Sequence, residues 1–196
     1  MLPSVASGTR ATCKICGGEA TPFGVVDFNK HASEDRIGRF SATGVPIVYH
    51  RCKACGFIFC DAFDEWSPHE FQTLIYNADY VKVDPDYVEV RPRALAERII
   101  RQFASCRAEI SCLDYGGGSG LFADLLRRAD FKRAVTYDEH SPAHRELPAG
   151  PFNLVTCFEV FEHVTDPKTV AAKLAGLIGD QGILYFSTLL QPREIE

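Results

Sequence analysis

The 196-residue sequence has no apolar run that approaches membrane-spanning length, and its first ten residues lack both a basic segment and a continuous apolar core. It also lacks any basic run with interleaved aromatic residues, and its formal net charge is -5. These absences argue against a membrane span, a secretory signal and a broad nucleic-acid-binding surface. We therefore expect a cytoplasmic protein that has no membrane or nucleic-acid partner and acts on a small molecule.

Half of the eight cysteines fall in two nearly identical segments, CKICG at 13–17 and CKACG at 52–56. This is the spacing of two zinc knuckles that face one tetrahedral ion, and the glycine after each second cysteine lets the backbone turn tightly. A disulfide pair or buried free thiols are the alternative. Four thiolates fill the coordination sphere of zinc, so the predicted site is structural. Its ligands would be Cys13, Cys16, Cys52 and Cys55.

Three other cysteines, Cys106, Cys112 and Cys157, lie in apolar segments of the sequence. Small core residues are the commonest role for such cysteines. We expect them to be buried and to have no chemical function.

A glycine-rich stretch with an acidic residue in front of it, DYGGGSG at 114–120, lies between a predicted strand and a predicted helix. Residues 110–113 are apolar apart from Ser111, as in a short buried strand, and residues 121–128 have apolar side chains at helical spacing. Glycines let a ligand lie against the backbone, and the unpaired amides at a helix start are donors. The stretch therefore predicts a nucleotide cofactor site.

Two cofactors fit this loop, because residues 118–123 also match the G-x-G-x-x-A form of the dinucleotide fingerprint. The Asp114 carboxylate would repel an anionic pyrophosphate, whereas it can accept hydrogen bonds from the ammonium of a methionine moiety. The residues favour S-adenosylmethionine. NAD, or a glycine-rich turn without a ligand, are the alternatives.

A second strand, predicted at 133–138, ends in an acidic residue. Asp138 lies at the distance from the loop at which a ribose-binding carboxylate is expected, with the neighbouring Glu139 as the fallback. Both could instead be solvated loop acids.

Strands and helices alternate along the rest of the chain. Residues 152–158 are almost continuously apolar, as in a parallel strand covered on both faces, and a helix is predicted at 167–178 and a strand at 182–188. This alternation predicts an α/β fold with a parallel sheet.

Residues 110–190 resemble the class I S-adenosylmethionine-dependent methyltransferases, since residues 113–120 match the first motif of that family and residues 152–164 its fourth-strand motif. The N-terminal part resembles the zinc-binding module that precedes such domains in sugar C-methyltransferases and in methyltransferases of bacterial saccharide gene clusters. The resemblance implies a Rossmann-like parallel sheet of the class I methyltransferase type with a small N-terminal zinc ribbon.

The resemblance also assigns roles to the loop and to the two acids. Gly116, Gly118 and Gly120 would line the methionine part of the cofactor, Asp114 would meet its polar end, and Asp138 would bind the ribose hydroxyls.

His163 is the candidate general base, because it follows the fourth strand on the side where open α/β sheets bind ligands. Glu162 and His163 could instead form a capping or packing pair. Glu159, Glu162 and His163 also resemble the metal-binding triplet of small-RNA 3'-terminal 2'-O-methyltransferases, but the further histidine of that family has no counterpart after His163.

The sequence departs from the family pattern in two places. Only about a dozen residues separate Asp138 from Phe152, too few for the usual helix and third strand, so the residue that meets the adenine has no clear counterpart. The sequence also ends at Glu196, soon after the fifth-strand equivalent, so the sheet is expected to lack its C-terminal strands.

The sequence predicts three parts: a zinc-ribbon-like module at 1–62, an aromatic and acidic linker with a bridging helix at 63–108, and the cofactor-binding methyltransferase domain at 109–196. Tyr76 and Tyr80 in the linker could reach over the cofactor or pack within the linker. The predicted function is methyl transfer from S-adenosylmethionine to a small, carbohydrate-derived acceptor. A non-catalytic zinc-ribbon interaction protein with a degenerate cofactor fold and an NAD-dependent oxidoreductase are the alternatives.

Overall fold

The computed structural model describes residues 10–31 and 33–190. The described residues divide into two compact units, one of residues up to 85 with 165–168 and the other of residues 86–164 with those from 169 on. The three-part division at residues 62 and 108 stays a prediction.

The first unit is built on an antiparallel sheet of four strands in chain order. These are β1 (Ala11–Thr12), β2 (Glu19–Asp27), β3 (Pro46–Cys52) and β4 (Ile58–Cys60). Three short helices, α1 (Glu34–Ile37), α2 (Pro68–Leu74) and α3 (Tyr80–Val83), follow or interrupt the strands. The long β2–β3 pair lies between the two cysteine segments and fits the zinc-ribbon-like module that the sequence predicts.

Two groups of side chains hold the first unit together. The cysteine segments pack against β2 and β4 through Cys13, Ala20, Cys52 and Phe59. A separate cluster of aromatic rings, with centroids 4.9 to 6.4 Å apart, consists of Phe28, Phe63, Trp66 and Phe71.

The second unit contains the predicted parallel sheet. Its strands are β5 (Ser111–Tyr115), β6 (Arg133–Tyr137), β7 (Phe152–Phe158) and β8 (Ile178–Ser187), and all pairs are parallel in the order β6-β5-β7-β8. Its helices are α4 (Val90–Gln102), α5 (Leu121–Arg128) and α6 (Pro167–Leu177). The strand order reverses at β5, and ligands of open α/β sheets bind at the carboxyl end of such a switch point.

Helices cover both faces of this sheet. On one face, Ile99 of α4 and Leu126 of α5 pack against β5, β6 and β7, and on the other Leu174 of α6 is fully buried. β7 is buried on both faces along most of its length, which explains its almost unbroken apolar sequence. Cys112 and Cys157 are core residues as expected, whereas Cys106 is exposed, because it lies in the turns that follow α4.

The connection between β6 and β7 consists of turns and extended backbone, and no helix or strand forms within residues 138–151. The amide of Asp138 donates to the carbonyl of His144 (2.9 Å), which closes the first half of this connection into a compact loop. The absence of the usual third strand, expected from the spacing, is confirmed for this stretch. Within the described parts of the chain, every helix is too short or too polar to cross a lipid bilayer.

Candidate functional site

The glycine loop lies at the carboxyl end of β5, at the switch point of the sheet. Gly116, Gly118 and Gly120 all have left-handed backbone conformations, with φ of 77°, 55° and 82°. Only glycine adopts this region without strain. The loop is fixed to the next strand by a 2.7 Å hydrogen bond from the amide of Gly116 to the carbonyl of Tyr137.

Asp114 lies directly beneath the loop and is only 3% exposed. Thr156 of β7 donates its hydroxyl to the Asp114 carboxylate at 2.9 Å. A side chain at Gly117 would overlap the other carboxylate oxygen, so the backbone there passes directly over the acid.

The electrostatics of Asp114 are unusual for an aspartate. Burial raises its pKa from 3.8 to about 7, the hydrogen bond from Thr156 opposes that rise, and the negative charge of Asp138 adds to it. A cation placed against this carboxylate would relieve the cost of its charge. The arrangement suits the ammonium group of an amino acid moiety.

Asp138 follows β6 and is tied to the glycine loop. One of its oxygens accepts the amide of Gly118 at 2.8 Å, and the other accepts the amide of His140 at 2.9 Å. The structure thus brings Asp114, Asp138 and the three left-handed glycines together at one end of the sheet. Glu139, the fallback candidate, is exposed and lies 3.6 Å from the imidazole of His140.

Two side chains that sequence reasoning missed lie against the loop glycines. A Cβ atom at Gly118 would lie 2.6 Å from the hydroxyl oxygen of Tyr87, and one at Gly120 would lie 2.7 Å from Nε2 of His144. The His144 ring nitrogen is 3.3 Å from the carbonyl oxygen of Ser119. No local motif marks either residue, although Tyr87 ends the aromatic segment that precedes α4. Tyr76 and Tyr80 pack on each other, with ring centroids 5.1 Å apart.

The turn after β7 approaches the loop from the other side. A side chain at Gly116 would overlap the side chain of Val160, so this turn touches the first loop glycine. His163 lies three residues further on, its amide donates to the Val160 carbonyl at 2.9 Å, and its side chain is exposed. The residues form a turn and not a helix start, because α6 begins only at Pro167.

The two glutamates of the same turn bind hydroxyl groups of β8 and of the residue that follows it. Ser187 donates to Glu159 at 2.6 Å, and Thr188 donates to Glu162 at 2.9 Å. Among residues 10–31 and 33–190, Glu159, Glu162 and His163 do not form a group whose ligand atoms converge on one point, and the four predicted cysteines do.

The sulfur atoms of Cys13, Cys16, Cys52 and Cys55 all lie within 4.8 Å of one another. Two of the sulfur pairs are 3.5 and 3.6 Å apart. The glycine after each second cysteine has a φ of 74° or 75°, so both segments use the same tight turn. A tetrahedral thiolate site for a soft divalent ion fits this geometry.

The backbone of the second cysteine segment favours the thiolate form of Cys52, whereas at Cys55 the hydrogen bond from the Phe57 amide is outweighed by burial and the neighbouring thiols, which raise the pKa to about 12. A hydrogen bond from the Cys55 amide is the main cause that lowers the pKa of Cys52, to about 6. Thiolates are the form that binds a metal ion. By contrast, burial in the core raises the pKa of Cys157 to about 12, so that thiol stays protonated.

Comparison with known protein families accounts for the second unit. A family model described as a methyltransferase domain matches residues 87–196. The chain belongs to this methyltransferase family. The family implies S-adenosylmethionine as the methyl donor, and the parallel sheet with its glycine loop is the Rossmann-like fold of the class I enzymes.

Curated relatives are similar to part of this chain. The chain is 34% identical over 96 residues to the ubiquinone biosynthesis O-methyltransferase of Pectobacterium carotovorum subsp. carotovorum (strain PC1). The aligned region covers 48% of this chain and 38% of that protein. It is 33% identical over 98 residues to the protein of that name from Pectobacterium atrosepticum, with the same shares covered. It is 43% identical over 54 residues to the Cronobacter sakazakii protein, covering 28% of this chain and 21% of that protein. The chain therefore spans about two fifths of the length of the first of these relatives.

Proposed function

We propose that the second unit binds S-adenosylmethionine at the glycine loop and transfers its methyl group to a small acceptor. The observation that carries this proposal is the buried Asp114 carboxylate, which lies beneath three glycines in left-handed conformations. A second carboxylate, that of Asp138, accepts a hydrogen bond from the amide of one of these glycines, Gly118. Family membership over residues 87–196 supports the same donor.

The residues present fit the cofactor. Gly116, Gly118 and Gly120 have no side chains of their own, so a methionine moiety can lie against the loop backbone between the side chains of Val160, Tyr87 and His144 that approach it. Asp114 would attract its ammonium group, and Asp138, at the end of β6, would accept hydrogen bonds from the ribose hydroxyls.

S-adenosylmethionine, when bound, supplies a methyl group that is already activated by a positively charged sulfur. The chain therefore has to orient the acceptor, and it needs a base only where the acceptor must lose a proton. We assign that role to His163, which follows β7 in the turn that touches Gly116 through Val160. Its imidazole is exposed and does not cap a helix, because the turn ends before α6 begins.

For the acceptor we propose a hydroxyl group on a ubiquinone-related compound, on the basis of the relatives' names and their 34% identity. A carbohydrate-derived acceptor is the second candidate. The paired cysteine segments favour it, because the N-terminal part resembles the module found in saccharide-cluster methyltransferases.

Transfer of a labelled methyl group from S-adenosylmethionine would test the activity and separate the two acceptors. One panel would contain hydroxylated benzoquinones and their quinols, and the other nucleotide-linked sugars. Product in the first panel supports the proposal, product in the second alone supports the saccharide candidate, and cofactor binding without product in either would overturn both.

The role of His163 can be tested on the same reaction. His163→Ala should lower kcat by about 100-fold or more, the usual worth of a general base, and should leave cofactor affinity unchanged. The exposed His69, in the other unit, gives the control variant His69→Ala. An unchanged kcat in His163→Ala would show that His163 is not the general base. It would leave the proposed cofactor site as it is.

We further propose that Cys13, Cys16, Cys52 and Cys55 hold one structural zinc ion. The convergence of the four sulfur atoms and the lowered pKa of Cys52 support this assignment. A full set of four thiolates leaves no position for a catalytic water, so the ion would stabilise the first unit and take no part in methyl transfer.

A further inference from the structure

Tyr115 and Tyr137 are the last residue pair of the β5–β6 ladder, at the carboxyl end of the sheet. Their rings contact each other, with centroids 5.0 Å apart, and each residue is 8% exposed. Both side chains lie on the face of the sheet that packs against α6, in the core that contains Leu174. The next residue along the chain is Gly116 in one case and Asp138 in the other, so each tyrosine directly precedes a residue of the candidate cofactor site.

Lys173 of α6 places its ammonium group against both rings. Its Nζ atom lies 5.4 Å from the ring centroid of Tyr115, 4.7 Å from that of Tyr137 and 3.4 Å from the Tyr137 hydroxyl oxygen. Cation–π attraction acts over such distances and is stronger where the groups are partly removed from water. Lys173 is half-buried, so one side chain joins the ends of two strands to a helix.

The charges in this cluster support one another. Burial raises the pKa of Tyr115, and the positive charge of Lys173 opposes that rise. Burial lowers the pKa of Lys173, but the two tyrosines outweigh this effect and the net shift is upward. Lys173 is therefore a cation throughout the neutral pH range.

The end of β6 has a particular need for such a contact. Within residues 10–31 and 33–190, β6 pairs with β5 alone, because its connection to β7 forms no further strand. An edge strand has unpaired backbone groups along one side, so it is held by strand pairing on the other side only. Asp138, which follows this strand, nevertheless accepts the Gly118 amide at 2.8 Å. The contact from α6 supplies a restraint that an edge strand does not receive from a second neighbour.

The backbone carries this restraint into the glycine loop. The carbonyl of Tyr137 accepts the amide of Gly116 at 2.7 Å and that of Gly117 at 3.3 Å. A shift of Tyr137 would therefore move the start of the loop and the neighbouring Asp138 together. A ligand binds only the fraction of molecules in which its site is correctly formed, so a looser strand end lowers the apparent affinity.

We propose that Lys173 is a positioning residue of the cofactor site, whose ammonium group clamps the rings of Tyr115 and Tyr137 and so fixes the ends of β5 and β6 in the conformation that binds the donor. Lys173 acts through the two tyrosines and not through contact with the ligand. This inference rests on the proposed function, because S-adenosylmethionine is the ligand of that conformation.

Lys173→Met tests the role of the charge, because methionine keeps an unbranched apolar chain over the rings and removes the ammonium group. In the ligand-free chain, hydrogen exchange of the Gly116 amide, followed by NMR, should become about tenfold faster relative to the amides of the central strand β7. S-adenosylhomocysteine should bind about tenfold more weakly in calorimetry. This is the effect expected from the loss of two partly buried cation–π contacts.

Three further variants separate charge from packing. Lys173→Arg keeps a cation that stacks on aromatic rings, so it should bring both the exchange and the affinity to within about threefold of the wild type. Lys173→Gln is a second neutral variant and should match Lys173→Met. Lys168→Met makes the same change at an exposed lysine of α6 and should alter neither measurement. Thermal unfolding would verify that each variant is folded.

Two kinds of result would overturn the role of Lys173 alone. One is an unchanged Gly116 exchange or an unchanged affinity in the folded neutral variants. The other is a loss that Lys173→Arg does not restore, or an equal acceleration of exchange in β7, because either would indicate general destabilisation. A wild-type chain that does not bind S-adenosylhomocysteine would overturn the proposed function and this inference with it.

Discussion

Thr156 donates a 2.9 Å hydrogen bond to the carboxylate of Asp114, and this contact joins the central strands β5 and β7 beneath the glycine loop. Thr156 is fully buried, and its hydroxyl lies closer to the acid than to its other acceptor, the Leu113 carbonyl oxygen at 3.3 Å. The bond favours the ionised form of a carboxyl group that burial otherwise keeps protonated. Strand pairing and cofactor electrostatics are therefore coupled at this point.

The first prediction concerns the pH dependence of cofactor binding. We have proposed that the ionised Asp114 carboxylate attracts the ligand ammonium; with a pKa of about 7 for this carboxyl group, affinity for S-adenosylmethionine should rise about eightfold between pH 6 and pH 7.5. It should fall again above about pH 8, where the α-amino group of the ligand loses its proton. Calorimetry across this pH range would measure both the rise and the fall in affinity.

Thr156→Val is the matched variant for this experiment, since valine has nearly the same shape and lacks the hydroxyl. Loss of the hydrogen bond should move the rising limb to higher pH. A pH profile that is flat below pH 8 in the wild type, or unmoved in Thr156→Val, would show that Asp114 does not meet the ammonium.

The second prediction concerns stability. The pKa of Asp114 is raised in the folded state, so as pH rises from about 4 to about 7 the unfolded chain loses this proton first and the free energy of unfolding falls. Asp114→Asn has no carboxyl group at this position, so its free energy of unfolding should not fall for this reason. The difference in free energy of unfolding between the variant and the wild type should therefore grow over this range and level off above pH 8. Its growth should reach at most about 4 kcal/mol, because each pH unit between 3.8 and about 7 contributes about 1.4 kcal/mol.

Denaturant unfolding at pH 5 and pH 8 would measure this difference. The same variant should lose affinity for S-adenosylmethionine, because the neutral amide does not attract the ammonium. An advantage that does not grow with pH would contradict the raised pKa.

The third prediction concerns the fit of the loop over Asp114. Gly117→Ala would place a methyl group on the carboxylate, so it should cost about 1–3 kcal/mol of stability, as overpacking does, and should abolish cofactor binding. Gly176→Ala is the control in α6, where an added methyl meets no atom within 4 Å and alanine favours the helix. Urea unfolding of the two variants should give changes of opposite sign. A tolerated Gly117→Ala with intact binding would contradict the loop geometry.

The fourth prediction concerns the metal. Elemental analysis of the purified chain should find about one zinc ion per molecule, and Cys52→Ser should release it and destabilise the first unit. Cys106→Ser changes an exposed cysteine outside the cluster and should leave the zinc content unchanged. A metal-free chain with an intact first unit would contradict the zinc assignment.

Much of this arrangement could be predicted from the sequence because it is local. The cysteine segments and the loop at 114–120 each place their chemistry within a few residues, and turn geometry then fixes the backbone. The parallel sheet was predictable from alternating apolar segments, as the burial of β7 on both faces illustrates.

Other features depend on contacts between distant parts of the chain. Tyr87 meets Gly118 only because α4 packs on α5, and no spacing rule connects residues 31 positions apart. β8 begins at Ile178, earlier than the predicted 182, because Ile178 pairs with Phe152 across a register irregularity. The hydrogen bond from Gly118 to Asp138 likewise follows from the pairing of β5 with β6, although the sequence suggested the importance of both residues.

Titration of the intact chain with S-adenosylmethionine, and in parallel with NAD, tests the central claim most directly. We predict saturable one-to-one binding of S-adenosylmethionine by the wild type, loss of that binding in Asp114→Ala, and no binding of NAD. A wild-type chain that is folded but does not bind S-adenosylmethionine, or that prefers NAD, would contradict the account.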